Sequence, residues 1–185
     1  SVSRSQLQNA KAQDAFAKLG LEGITTSFAL SYDWDVAQQR VSLHDTVLKV
    51  NELGTITISA DLANVAAHAD ALKQARLVHA RLRLDDASLV ERLLRAGAAQ
   101  TGVDPVAYRQ RIAGEARQAS VTAGQGSPQI AAAGQAVGDF ITSPHSLTIE
   151  LSPPVPVPFM ALQVAAAAPA RLAAMIGLAV SANQP

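Results

Sequence analysis

Apolar residues recur at every second position in TSFALSYDW, where Phe28, Leu30, Tyr32 and Trp34 share one face. The same period appears in TITISADL through Ile56, Ile58, Ala60 and Leu62. Alternation of this kind predicts antiparallel strands with one face turned to a core. Between them, RVSLHDTVLKV places Val41 and Leu43 in one phase and Leu48 and Val50 in the other. An extra residue near Asp45 to Val47 restores a common face, so a bulge is predicted there. NELGT supplies Gly54 for a left-handed turn, which closes a β-meander over residues 24–63. In LVHARLRL a further strand is predicted, with Val78, Ala80, Leu82 and Leu84 inward and His79, Arg81 and Arg83 outward.

The period then changes to that of helices. Ser88 and Glu91 have capping-box spacing, while Asp104–Pro105 and Ser127–Pro128 each set a capping side chain before a proline suited to the first helical position. Apolar stripes follow these starts: Leu89, Val90, Leu93 and Leu94; then Tyr108, Ile112 and Ala116; then Ile130, Val137, Phe140 and Ile141. The glycine-rich stretch at 121–128 reads as a loop between two of these helices. SLTIEL returns to strand alternation, SPPVPVPF suits a sheet edge or rigid connection, and a short alanine-rich helix precedes a last strand in GLAVS. At the other end, residues 4–19 carry a short helical stripe of Ala12, Ala15, Phe16 and Leu19, which Gly20 ends.

The predicted architecture is α+β: an antiparallel sheet of about five to six strands with helices packed on one face. Its length of 185 residues suits one domain, organised as an N-terminal helix (4–19), the meander (24–63), a helical middle (87–142), and C-terminal strands and short helices (145–183). Aromatics make up only 4% of the chain, so the core is aliphatic. Fifteen basic and fifteen acidic side chains cancel, which leaves no field to attract nucleic acid. The absence of cysteine excludes disulfides, thiolate metal ligation and thiol catalysis. The longest apolar tract, 158–180, is broken by Pro169 and Arg171 and reads as core rather than as a membrane span. The first residue is Ser1 rather than Met, so a mature fragment or a removed signal peptide is consistent with the chain.

Candidate chemistry concentrates in SYDWDVAQQRVSLHD, residues 31–45. Asp33, Asp35 and Asp45 could ligate a cation, but no glycine follows to fold the chain around an ion, and turn chemistry accounts for them. His44 and His79 occupy outward strand positions and become neighbours if their strands pair, yet two histidines need a third ligand to hold a metal. His68 and His145 fall in polar connections, without a nucleophile in a local motif. No G-x-S-x-G elbow occurs, Ser127 in GQGSPQ lacks the lysine of a phosphate loop, and Asp85–Asp86 suits the positive end of a helix. Arg76, Arg81, Arg83, Arg92 and Arg95 interleave with acids and read as salt-bridged surface. No catalytic, cofactor-binding or metal residue is therefore assigned, and no cofactor is expected.

The segments FALSYDWDVAQQRVSLHDTVLKVNELGTITISADL, GVDPVAYRQ, GDFITSPHSLTIELSPPVPVPFMAL and PARLAAMIGLAVSAN resemble a group of uncharacterised exported proteins of alphaproteobacteria. The meander alone is similar to repeats of AsmA-like envelope proteins. This resemblance implies a periplasmic or cell-envelope location and a non-enzymatic role. Regular strands and capped helices without convergent polar groups lead to the expectation of a structural or interaction domain that contacts an envelope protein through its sheet or helical face. The alternative expectation is a carrier of an apolar ligand such as a lipid, bound between the sheet and FMALQVAAAA.

Overall fold

A computed structural model describes residues 25–66 and 74–184. The helix expected over 4–19 and His68 lie outside the described residues. Strands β1 (Thr26–Asp35), β2 (Arg40–Val50), β3 (Gly54–Ala63) and β4 (Arg76–Asp86) come first. Helices α1 (Leu89–Thr101), α2 (Pro105–Gly124) and α3 (Pro128–Thr142) follow. The chain then forms β5 (Ser146–Leu151), β6 (Val157–Pro158), α4 (Phe159–Ala165), α5 (Pro169–Met175) and β7 (Leu178–Ala182). The sheet is antiparallel and seven-stranded, in the order β1-β2-β3-β4-β5-β7, with β6 beside β4. This is an α+β fold with one more strand than the sequence pattern predicts, because Val157–Pro158 of the proline ladder pairs with Arg76 and Leu77.

The bulge expected in β2 is present. The pairing of β2 with β3 shifts between Leu43 and Thr46, and Asp45 adopts φ +31°. Strand β1 runs through the same region without an extra residue, so Phe28 stays opposite Leu48 while Tyr32 meets Leu43 and Trp34 meets Val41. In the turn after β2, Glu52 takes the left-handed conformation at φ +66° and Gly54 sits at φ +152°. A Cβ on Gly54 would come within 2.5 Å of the Asp85 carbonyl oxygen, so the approach of β4 also demands glycine there.

Three local expectations are corrected. In β4, Leu77 rather than Val78 sits opposite Leu62, because a second bulge between Asp61 and Leu62 makes Val78 the extra residue. Leu77 is buried as a result. At α1, Ser88 holds the N-cap position without a side-chain cap, since its hydroxyl donates to the Glu52 carbonyl. The Asp86 carboxylate instead accepts from Val90 N at 3.1 Å. Helix α2 runs on to Gly124, so the connection expected over 121–128 shrinks to the residues before Pro128. The other caps are as read from sequence: Asp104 accepts from Val106 N and Ala107 N, Ser127 accepts from Ile130 N, and each helix opens with proline.

Chain order decides where the helices lie. Strands β1 to β3 follow one another through short turns and β4 comes next, while α1 to α3 are inserted between β4 and β5 and the short helices between β5 and β7. The helical layer therefore gathers at the β5–β7 end, with α3 against β7 and β5 and α2 packed along α3. The two long helices approach closely. A Cβ on Gly134 would strike Ser120, and one on Gly138 would come within 2.5 Å of Arg117 Nε. Buried Leu94, Ala98, Ala113, Ala136 and Phe140 form the helical part of the core.

Candidate functional site

The pairing registers sort the β1–β4 half of the sheet into two unlike faces. One carries Thr26, Phe28, Leu30, Tyr32 and Trp34 from β1, and Val41, Leu43, Thr46, Leu48 and Val50 from β2. It continues through Ile56, Ile58, Ala60 and Leu62 of β3 to Ala80, Leu82 and Leu84 of β4. None of these side chains is charged, and the row of Thr26, Val50 and Gly54 ends on Asp86, whose carboxylate caps α1. The opposite face bears Asp33, Ser42, His44, Asp61, His79, Arg81 and Arg83.

The sequence pattern predicts that Phe28, Leu30, Tyr32 and Trp34 face the core. They do share one face, but it is open: their relative exposures are 66%, 54%, 59% and 44%. Leu48, Ile58 and Leu82 continue the exposed apolar stripe onto the next strands. The physical reason is supply. The helices that could cover a sheet face enter only after β4 and settle against β5 and β7, so among the described residues none packs broadly on β1 to β3, and α1 meets the turn at Glu52 and Leu53. Alternation shows that one face is apolar, while burial depends on whether another element reaches it. A signal was nonetheless available in the order of elements, with the meander and a further strand preceding the first of the helices between β4 and β5. Thr46 adds a second feature, since its Oγ1 is buried at the bulge with no hydrogen-bond partner among the described residues.

The polar face gathers its ionisable groups in separate pairs. His44 Nε2 lies 2.8 Å from Asp33 Oδ2, and His79 Nε2 lies 3.2 Å from Glu150 Oε1. The histidines are not neighbours, because β3 lies between their strands. Ser42 donates to Asp61 at 2.6 Å, Asp35 accepts from Gln38 N at 2.9 Å in the turn after β1, and Arg83 pairs with Asp85. Asp45 faces an open depression of about 240 Å³ lined also by Thr57, Ser59, Arg81 and Arg83. The three aspartates considered for a cation thus have separate roles. Among the described residues no group of three or more histidine and carboxylate side chains could hold a metal ion.

Two carboxyls are displaced from their ordinary range. The hydrogen bond from His79 lowers that of Glu150, against a smaller desolvation, and Ser152 also donates to it. Burial raises that of Asp86, opposed by the backbone amides of Val90 and Leu89 that it caps. Asp86 is occupied at the start of α1, so its shift reflects a structural duty.

At the C-terminal end, α4 and α5 enclose a depression of about 380 Å³ lined by Ala161, Ala165, Ala168, Met175 and Arg171. This is the FMALQVAAAA segment read from sequence as lining for an apolar ligand. Among the described residues no carboxylate pairs with Arg171, and no helix is long and apolar enough to cross a membrane.

A family model described as "Uncharacterized protein" matches residues 47–183, more than half of the chain, which therefore belongs to that family. The match takes in the end of β2 and every later element, while β1 lies before it. No curated protein and no solved structure matches the chain.

Proposed function

We propose that this member of the family matched over residues 47–183 is a non-catalytic interaction domain of the bacterial periplasm or cell envelope. Its working surface is the apolar sheet face of β1 to β4, on which the one carboxylate, Asp86 at the end of β4, is taken up in capping α1. The observation that carries this reading is the exposure of Phe28, Leu30, Tyr32 and Trp34 side by side on one strand. Scattered exposed apolar residues are ordinary on any protein. A contiguous stripe spanning several strands is a mark of contact, and aromatic side chains are the types that anchor protein interfaces. The periplasmic setting is supported by the sequence resemblance to exported proteins.

A photo-crosslinking amino acid at Tyr32, with one at Thr57 on the polar face as control, tests the reading in cells of the native host. A discrete protein adduct specific to position 32 is expected. Equal labelling from both positions, or none from either, would refute it. Protease accessibility in spheroplasts tests the location, with digestion only after outer-membrane removal expected.

One observation favours a second reading, that of a carrier for an apolar ligand bearing an acidic head. The alanine-lined depression between α4 and α5 places the Arg171 guanidinium beside an apolar wall. Native mass spectrometry with a long-chain fatty acid should then show binding that Arg171→Ala weakens. Identical adduct levels in the two proteins would remove this reading.

A further inference from the structure

We infer that the occupant of the open sheet face is a second copy of this chain, with the two β1–β4 half-sheets stacked face to face about a two-fold axis. This rests on the reading of that face as an interaction surface and names its partner.

The first argument is area. Four strands about 4.8 Å apart and about 33 Å long present a face on the order of 600 Å² in projection. Side-chain relief makes its accessible area larger still, which brings it to the roughly 800 Å² per partner of a standard specific interface. A single helix about 10 Å wide would cover only about half of such a face. The occupant that fits is another sheet of the same dimensions, and this chain's own half-sheet is one.

The second argument is symmetry. The helices gather against β5 and β7, and none packs broadly on β1–β3, so the half-sheet that carries the exposed stripe is free to meet its own copy. A two-fold axis makes such a contact reciprocal, as an isologous interface requires.

The third argument is chemistry. Self-stacking brings like side chains together, which is costly for charged faces and favourable for this one. From Phe28 to Leu84 the face offers only apolar and uncharged side chains, and its most exposed members are the aromatic and leucine residues of β1. Burying them in a shared layer removes water from both copies at once.

Trp34 is the chain's one tryptophan and stands on the face, so it reports occupancy directly. The test is sedimentation equilibrium of the full chain across a concentration series, paired with acrylamide quenching of Trp34. A species of twice 19.2 kDa is expected, with Trp34 quenched several-fold less in that species than in the monomer. Leu30→Glu should weaken association by about 100-fold or more, because symmetry buries two unpaired carboxylates. Thr57→Glu on the polar face should leave the dimer intact. The milder Phe28→Ser should weaken association in the same direction, and circular dichroism confirms that each variant is folded.

A monomer at every concentration overturns the inference, as does a dimer indifferent to Leu30→Glu and Phe28→Ser. Trp34 already shielded in the monomer also overturns it, since the chain would then cover its own face. A monomer that still gives the position-32 adduct in cells overturns only the second copy as partner. Loss of both the adduct and the dimer removes the interaction surface itself.

Discussion

Glu150 Oε1 lies 3.2 Å from His79 Nε2 across the paired strands β4 and β5, where the histidine is the diagonal neighbour of the carboxylate. The imidazole holds the carboxyl below its ordinary value of 4.5. A depressed carboxyl binds protons less readily folded than unfolded, so it contributes stability above the unfolded value that is lost as pH falls through the folded one. Both side chains are partly exposed, so the contribution is below about 1 kcal/mol. Urea unfolding of Glu150→Gln and the parent chain over a pH series checks this. The difference should be present near neutrality and close as the solution is acidified.

Asp86 has the opposite sign. Burial raises its carboxyl above 3.8, so the folded chain holds the proton longer and stability falls as pH rises from the unfolded value through the folded one. Asp86→Asn keeps a capping oxygen and should flatten this part of the profile. Asp86→Ala also removes the acceptor for Val90 N and should cost about 1 kcal/mol at neutral pH, as for other lost caps. Chemical denaturation of the two variants separates the capping role from the charge.

Glycines in the long helices differ by surroundings. A methyl group at Gly134 would strike Ser120, and one at Gly138 would meet Arg117, whereas Gly114 faces open space. Gly134→Ala and Gly138→Ala should each destabilise by about 1–3 kcal/mol through overpacking. Gly114→Ala should stabilise by up to about 1 kcal/mol through helix propensity. Melting temperatures of the three variants should move in these opposite directions.

Burial separates two leucines against their phase in the sequence, which sets Leu30 inward and leaves Leu77 out of step with Ala80, Leu82 and Leu84. Leu77 is buried opposite Leu62, and Leu30 is largely exposed on β1. Leu77→Ala should cost about 2–5 kcal/mol, while Leu30→Ala at protein concentrations below dimer formation should stay within about 0.5 kcal/mol. Equal losses in denaturant titrations would mean that the β1 face is covered within the chain.

Much of the secondary structure is legible in local chemistry. The alternation in TITISADL, the phase change across HDTV, and the Asp104–Pro105 and Ser127–Pro128 starts correspond to β3, the β2 bulge, and helices α2 and α3. These succeed because side-chain period, capping oxygens and proline geometry act over a few residues. Ser88 fails for a long-range reason: the hairpin turn brings the Glu52 carbonyl within reach of its hydroxyl, and Asp86 takes over the cap. His44 and His79 are likewise outward strand residues, as their phase shows, but β3 passes between their strands.

By itself, then, the order of residues determined which side chains share a face, where helices begin, and that one side of the early strands would carry no charge. Only the tertiary structure decided whether that side is interior or surface. Periodicity is a property of a single segment, whereas burial requires a second segment to arrive, and the helices that might have arrived are tethered between β4 and β5 and between β5 and β7.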